Sequence, residues 1–322
     1  MWVCNSKFIL NLYSRIKKYI MNTTTTEKII ERELRQANQK LSLILKSDIF
    51  LLCAPMTPDL DFYVRDKIEE IKKGENGTEK LTVLLETEGG AIEVVERIVR
   101  ILRRHYPCVE FIIPNYAYSA GTVLALSGDE IHMDYYSVLG PIDPQLDFET
   151  GRTLPGLGYL NNYRELLTKV NEAAQSEYGV QSVQAELSLL INKFDPATIF
   201  LIEQSIQHSK KLLEDWLPKY KFRNWDVTET KGEKVTEEKK KSRAESIANT
   251  LGNAEEWHSH GRGIHMKELR SNLIGLKIKD FGKNEKLSEA IRFYYALFKD
   301  YIVKIDAKTA LHSRYGITEI PI

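Results

Sequence analysis

The sequence predicts an α/β fold, in which strands and helices alternate through the middle of the chain. Short apolar runs, typical of buried strands, are each followed by a turn of small residues and then by apolar residues at helical spacing. Residues 81–85 (Leu-Thr-Val-Leu-Leu) and 109–113 (Val-Glu-Phe-Ile-Ile) predict two such strands. Residues 92–104 and 120–127 predict the helices that follow them. The longer helix has its apolar residues at Ile92, Val95, Ile98, Val99 and Leu102.

The turns between these strands and helices read Thr87-Glu-Gly-Gly-Ala91 and Tyr118-Ser-Ala-Gly-Thr122. The glycine pair lets the backbone turn sharply and approach a ligand, because no Cβ atom stands in the way. Ser119 precedes a helix that starts with small residues, so the Ala120 N–H is accessible as a donor to an oxyanion. A serine hydroxyl beside such donors favours acyl-transfer chemistry. A tight turn and an N-cap serine are the purely structural alternative.

At these residues the chain resembles the serine dehydrogenase proteinase (SDH) family of the Clp/crotonase superfamily, close to signal peptide peptidase A and the Clp protease subunits. The similar strings are residues 86–91, 114–122, 125–131 and 137–145. The string Gly-Pro-Ile-Asp-Pro-Gln in the last of them is quite specific to this family. The resemblance implies a Clp/crotonase-like core of repeated ββα units in a superhelix, with added N- and C-terminal helices.

The same resemblance implies a serine peptidase with Ser119 as the nucleophile. It also implies an oxyanion hole formed by the backbone of Gly90, Ala91 and Ala120. Related Clp-like proteins further imply a homo-oligomer that admits short peptides or unfolded protein substrates. We expect no cofactor, and the chain contains neither the Walker nor the Rossmann glycine pattern.

The general base is the less defined part of the site. Where Clp subunits carry a histidine, this chain reads Gly-Pro-Ile-Asp-Pro, without a histidine. Signal peptide peptidase A uses a lysine farther downstream, and Lys169 lies 169 − 119 = 50 residues after Ser119. Burial lowers the pKa of a lysine and can leave it neutral near pH 7. Lys169 is therefore the predicted base, Lys193 is the next candidate, and a solvated helix residue is the alternative reading of Lys169.

Histidines and one aspartate offer further candidates. His258 and His260 belong to a dense cluster that ends at His265 and fits a structural loop, a contact near the active cleft, a remote base or an interface. A metal site is not expected, because no carboxylate or cysteine follows at ligand spacing. Asp143 stands between two prolines, where it suits a turn and could equally orient a base. His132 is predicted to lie on a strand.

Composition and length restrict the location and the partners. The 322 residues include 45 Lys+Arg and 45 Asp+Glu, so the chain has no charge excess that would attract nucleic acid or an acidic membrane. Its three cysteines, Cys4, Cys53 and Cys108, are scattered as in proteins of a reducing compartment. No segment has the length of a membrane span, and the start lacks the pattern of a signal peptide. We therefore expect a cytoplasmic protein without an integral membrane segment.

Composition divides the chain into five segments. These are an N-terminal tail (1–26), an N-terminal helix (27–47), a catalytic core (48–217), a charged linker or helix (218–250) and a C-terminal helical extension (251–322). Within them we predict helices at residues 165–193, 196–217 and 287–302.

Two other functions fit the same sequence. A crotonase-like acyl-CoA hydratase or thioesterase would share the oxyanion geometry, and tight binding of CoA would favour it. A non-catalytic scaffold would keep the fold without a working base, and a failure to label the serine would favour it. Fold-level similarity does not choose among these functions.

Overall fold

The computed structural model describes most of the chain, and all that follows concerns this part. The described residues are 25–74, 77–142, 144–147, 153–176, 179–228, 232–253, 257 and 262–321. Residues 1–24 of the expected tail lie outside them.

Helices and strands alternate through the first half of the chain. The α-helices are α1 (Thr25–Leu45), α2 (Leu60–Lys73), α3 (Ile92–His105), α4 (Ala120–Leu126), α5 (Gly156–Gln175), α6 (Gln184–Lys193), α7 (Pro196–Trp216), α8 (Glu237–Leu251), α9 (Met266–Arg270) and α10 (Glu285–Lys304). The strands are β1 (Asp48–Cys53), β2 (Lys80–Glu86), β3 (Cys108–Ile112), β4 (Tyr116–Ala117), β5 (Glu130–Met133), β6 (Val138–Leu139), β7 (Gln145–Asp147), β8 (Thr153–Pro155), β9 (Ile264–His265), β10 (Lys279–Asp280), β11 (Ala310–Ser313) and β12 (Gly316–Glu319). Short 3₁₀ segments (Val180–Val183, Phe281–Lys283) and a π-helical turn (Leu217–Lys221) complete them.

A seven-stranded sheet forms the centre, in the order β10-β5-β3-β2-β1-β11-β12. The strands from β10 to β1 are parallel, and the β11–β12 hairpin joins β1 in antiparallel orientation. Both β1 and β2 are buried along almost their whole length. This explains their continuous apolar runs, since a parallel sheet is covered on both faces.

Alternate side chains of each strand enter two different cores. Val83 and Leu85 of β2 belong to the core that contains α2, α3 and α4. Leu84 points to the opposite face, which α1 and α10 cover. The strongly amphipathic pattern of α3 buries Val95 and Ile98 against the first of these faces. Ser119, at the start of α4, therefore lies on the side opposite to α1 and α10.

A second, smaller layer of strands lies beyond the end of β2 in the central sheet. It contains β4, β6 and β9, and isolated parallel bridges between Met56 and Gly90 and between Thr87 and Ala117 extend it. The chain passes from a strand of the large sheet to one of the small layer and then to a helix, as in β3-β4-α4. The predicted α/β class with ββα units is therefore confirmed.

Two predictions about the second half of the chain are wrong. The helix predicted for residues 165–193 is two helices, α5 and α6, with a 3₁₀ segment before α6. The segment predicted as a C-terminal helical extension (251–322) contributes β10, β11 and β12 to the central sheet. A core that ended at residue 217 would lack three of the seven strands. No helix among the described residues is both long enough and apolar enough to cross a membrane.

Candidate active site

The glycine turn and the serine turn lie side by side in the smaller layer of strands. The Thr87 N–H donates to the Tyr116 carbonyl oxygen at 3.2 Å, and the Tyr118 N–H donates to the Thr87 carbonyl oxygen at 3.0 Å. The Gly89 N–H donates to the Thr87 hydroxyl at 3.0 Å and so fixes the start of the glycine turn. The two motifs, about thirty residues apart in the sequence, thus form one site.

Ser119 has a backbone conformation that is rare for a residue with a side chain. Its φ is 49° and its ψ is −119°, at the junction between β4 and α4. Strained backbone of this kind persists where the surrounding structure holds it, and it is frequent at active sites. A sharp strand-to-helix turn is also a known way to present a nucleophilic serine. The residue is 9% exposed, so access to it is restricted.

The Ala120 N–H is placed to act as one oxyanion donor. Ala120 is the first residue of α4, where backbone N–H groups have no partner within the helix. The next two N–H groups are used locally, from Gly121 to the Tyr118 oxygen at 2.8 Å and from Thr122 to the Ser119 oxygen at 2.9 Å. Among the described residues, no acceptor is bound by the Ala120 N–H. The positive end of the α4 dipole adds to its donor strength.

The glycine turn offers one donor where the sequence predicted two. The Ala91 N–H donates to the Met56 carbonyl oxygen at 2.8 Å, and the Met56 N–H donates to the Gly89 oxygen at 2.7 Å. Ala91 is therefore excluded as an oxyanion donor, because its N–H is already used. In this parallel bridge the Gly90 N–H points away from Met56. Gly90 is left as the donor from this turn.

Both glycines of this turn are required by the close approach of the chains. Gly89 has φ 98° and Gly90 has φ 133°, conformations that residues with a Cβ rarely adopt. A Cβ on Gly89 would lie 2.7 Å from the Tyr118 oxygen, 2.9 Å from the Ser119 Cβ and 3.3 Å from the Ala120 nitrogen. The glycine turn therefore packs directly on the serine turn.

Thr122 and Gly140 are site residues that the sequence analysis missed. The Thr122 side chain is completely buried, and its hydroxyl lies 2.9 Å from the carbonyl oxygens of both Ala117 and Gly140. A Cβ on Gly140 would lie 3.3 Å from the Ser119 nitrogen. The contacts of Thr122 and Gly140 thus hold the serine turn in place. The only hint in the sequence was that both residues belong to the motifs that carry the resemblance.

Lys169 does not have the environment that a neutral base requires. It lies on α5, its side chain is 52% exposed, and its Nζ is 2.8 Å from Glu165 Oε1. The hydrogen bond to Glu165 and the charge of that carboxylate raise the pKa of Lys169. Lys169 therefore has neither the burial nor the lowered pKa that a neutral base requires in this structure. Lys193, the next candidate, is exposed at the end of α6.

The remaining predicted site residues are one described histidine and three residues that the structure does not describe. Asp143, His258 and His260 lie outside the described residues, and their roles stay predictions. His132 lies on β5, as predicted, and its Nε2 is 3.2 Å from Glu110 Oε2. Its neighbours Ile131 and Met133 point toward the core that contains α4. His132 therefore points to the opposite face of the sheet from Ser119.

A family comparison covers the segment that contains the two turns. Residues 6–153 match the sequence model of the family described as ClpP-like SDH-type serine proteinase. This is the stretch that carries Gly90, Ser119 and Ala120.

Curated relatives are found in Methanocaldococcus jannaschii. The uncharacterized protein MJ0137 is 36% identical over 92 residues, which are 28% of this chain and 32% of that protein. The uncharacterized protein MJ1495 is 28% identical over 142 residues, which are 43% of this chain and 48% of that protein. The matched region thus spans less than half the length of each of these relatives.

Two solved structures show a distant likeness. One is a mutant ClpP1 from Listeria monocytogenes, with 16% identity and a TM-score of 0.28 over 34% of this chain and 66% of that chain. The other is a mutant of the 1510-N membrane-bound stomatin-specific protease, with 12% identity and a TM-score of 0.41 over 72% of this chain and 79% of that chain. The family match confirms the resemblance predicted from the motifs: residues 6–153 are similar to the ClpP-like SDH-type serine proteinases.

Proposed function

We propose that this chain is a serine peptidase in which Ser119 forms an acyl-enzyme with the substrate. The observation that carries the proposal is the strained Ser119 turn, against which the Gly89-Gly90 turn packs directly beside the Ala120 nitrogen. The family match over residues 6–153 supports serine peptidase chemistry in general. The assignment of individual residues rests on the geometry.

The reaction follows from these groups. The Ser119 Oγ attacks the carbonyl carbon of a peptide bond while a base takes the hydroxyl proton. The carbonyl oxygen becomes an oxyanion, which the N–H groups of Gly90 and Ala120 stabilise in place of water. The C–N bond then breaks and the amine leaves with the proton. Water attacks the remaining ester in the same way and restores the Ser119 hydroxyl.

Lys169 is our proposed base, on the condition that it leaves Glu165. In the protomer, the Glu165 carboxylate raises its pKa and the side chain is exposed to water. Transfer of the ammonium group from Glu165 to a site without water would reverse both effects, because burial disfavours the charged form. Substrate binding or assembly of several copies would provide such a site. The proposal therefore includes a homo-oligomer that acts in the cytoplasm on peptides or unfolded proteins, without a cofactor.

A non-catalytic scaffold is the second candidate function. The observation that favours it is the exposure of Lys169, since a solvated, ion-paired lysine is a poor acceptor for a serine proton. This function would keep the Ser119 turn as a structural feature of the fold.

Labelling with a fluorophosphonate, followed by peptide mapping, distinguishes the two functions. We expect labelling of Ser119 in the wild type, none in Ser119→Ala, and unchanged labelling in Ser176→Ala, which removes an exposed serine just after the end of α5. Lys169→Ala should slow the labelling by about 10²-fold or more if it removes the base. Absence of labelling in every assembly state would favour the scaffold and contradict the peptidase.

A further inference from the structure

A buried polar cluster lies directly beside the glycine turn, on the other face of the central sheet. Its centre is Glu86, the last residue of β2, whose side chain is only 4% exposed. Buried carboxylates are found where partners satisfy both oxygens. The partners here come from three separate parts of the chain.

Helix α10 provides two of the partners of Glu86. The Lys299 Nζ lies 2.7 Å from Glu86 Oε1, and the Tyr295 hydroxyl donates to Glu86 Oε2. The Cys53 thiol, at the end of β1, lies 3.5 Å from Oε1. Burial and the neighbouring Glu86 raise the pKa of Cys53 to about 12, so the thiol stays protonated and acts as a donor.

The same cluster also holds the serine turn, through Asn115. The Asn115 Nδ2 donates to Glu86 Oε2 at 3.2 Å and lies 3.3 Å from the Tyr295 hydroxyl. Asn115 directly precedes β4, which leads into Ser119. Its backbone oxygen accepts the Val138 N–H at 2.9 Å. Helix α10 is thus bound to the chain just before each of the two turns.

Lys299 is charged when it holds this position. Burial is the largest single effect and acts against the charge, but the hydrogen bond to Glu86 and the electrostatic effects of the neighbouring groups together outweigh it and raise the pKa of Lys299 above its usual value. Lys299 therefore stays charged across neutral pH. A lysine held in this way acts through its position and does not accept a proton.

We infer that Tyr295 and Lys299 are positioning residues for the active site, and that through Glu86 and Asn115 they fix the distance between the Gly90 and Ala120 donors. Helix α10 lies outside residues 6–153, which match the family, so this contribution comes from a separate segment of the chain. The effect on catalysis rests on the proposed peptidase function. The effect on the order of the two turns does not depend on it.

The test compares variants of the full-length protein by amide hydrogen exchange and by peptide turnover. Lys299→Met leaves Glu86 buried without its counter-charge, and Tyr295→Phe removes one hydroxyl. We expect exchange in residues 86–91 and 115–121 to increase about tenfold or more, while residues 310–319 change little. Turnover should fall in kcat by about tenfold or more with little change in KM, because a displaced donor weakens only the transition state.

Matched variants separate positioning from general destabilisation. Lys304→Met removes an exposed lysine of the same helix and should match the wild type. Lys299→Arg keeps the charge and should recover most of the loss. The double variant Glu86→Gln with Lys299→Gln removes both charges, so that no buried charge is left unpaired. Amide exchange in the two turns should therefore increase less in this variant than in Lys299→Met.

Each outcome bears on one of the two proposals. Unchanged exchange in both turns for Lys299→Met and Tyr295→Phe would overturn the positioning inference, whatever the turnover. Increased exchange spread evenly over the whole sheet would also overturn it. Local loosening in a protein whose wild type has no turnover would support the inference and contradict the peptidase.

Discussion

The hydroxyl of Thr122 binds the backbone of Gly140 at two points. Its Oγ1 accepts the Gly140 N–H at 2.9 Å and lies 2.9 Å from the Gly140 carbonyl oxygen. Thr122 is in the first turn of α4, and Gly140 packs against the Ser119 nitrogen. The helix start that contains Ala120 is therefore attached to the loop that packs against Ser119.

Substitution of Thr122 by valine removes this attachment with little change in shape. The Gly140 N–H then loses its acceptor in a buried place, which costs about 1–3 kcal/mol in the free energy of unfolding. Urea unfolding measures this cost, and fluorophosphonate labelling measures the effect on Ser119. Thr168→Val is the control, because that hydroxyl bonds its own helix at an exposed position. Equal effects of the two substitutions would contradict the role of Thr122.

Substitution of Gly89 by alanine tests the contact between the two turns. The φ of 98° and the short distance to the Tyr118 oxygen both oppose a Cβ. We expect a loss of about 2–4 kcal/mol in the free energy of unfolding and slow labelling of Ser119.

Gly232→Ala is the matched control for Gly89→Ala. Gly232 also has a positive φ, 65°, but a Cβ there meets no described atom within 4 Å. The Gly232→Ala variant should lose only about 1 kcal/mol in the free energy of unfolding, and its labelling at Ser119 should be unchanged. A loss at Gly89 no greater than this would show that backbone strain alone, without the contact, explains the requirement for glycine.

Substitution of Glu165 by alanine tests Lys169 as the base through the pH dependence of labelling. Glu165 raises the pKa of Lys169, and a base must be deprotonated to act. Removal of the carboxylate lowers that pKa toward its ordinary value, so the rising limb of the rate should move to lower pH. Glu172→Ala, on the same helix, should leave the limb in place. A profile that Glu165→Ala does not shift would exclude Lys169 as the titrating group in this state.

The stability of the fold should fall in mild acid because of His312. This residue is buried on β11, and its pKa is lowered from 6.5 to about 3. Burial is the main cause, and the positive charges of Lys67 and Arg35 lower the pKa further. Its Nδ1 lies 2.6 Å from the Tyr294 hydroxyl, which can donate to a neutral ring.

The unfolded chain binds the His312 proton first, so this contribution is complete above pH 6.5 and is lost as the pH falls toward 3. The slope is about 1.4 kcal/mol per pH unit within that range. Urea unfolding between pH 6.5 and pH 4.5 measures the slope that His312 contributes. The lower limit avoids the range in which Glu110 contributes, since the pKa of Glu110 is lowered from 4.5 to about 2. His312→Gln should have a flatter profile, and parallel profiles would exclude His312 as the cause.

The sequence predicted the elements that local patterns determine. The strands and helices around the site are observed within one or two residues of their predicted limits, as for β2 (Lys80–Glu86) and α3 (Ile92–His105). Apolar periodicity and the glycine and serine turns are properties of neighbouring residues, which a single sequence displays. The β11–β12 hairpin was missed because its strands are four residues each and their partner, β1, lies more than 250 residues earlier.

The details of the site depend on contacts that no local pattern contains. The Ala91 N–H is not available as a donor because it binds the Met56 carbonyl oxygen, in the loop between β1 and α2. Only the folded backbone brings these two residues together. The exposure of Lys169 depends on how α5 packs, and the φ of Ser119 depends on Gly89 and Gly140 around it. The glycine and serine turns in the sequence indicated acyl-transfer chemistry. Which backbone N–H groups are available to an oxyanion became clear only from the hydrogen bonds of the folded chain.

The pairing of β1 with β11 has a consequence for how the protein is made. The ribosome translates Ser119 well before β11, which starts at Ala310, 310 − 119 = 191 residues later. Until that hairpin emerges, one edge of β1 has no partner and Lys299 has only just been added to the chain. A nascent chain that already contains Ser119 therefore lacks some of the strands and side chains that surround it in the folded protein. The order of synthesis delays the completion of this region until β11 has left the ribosome.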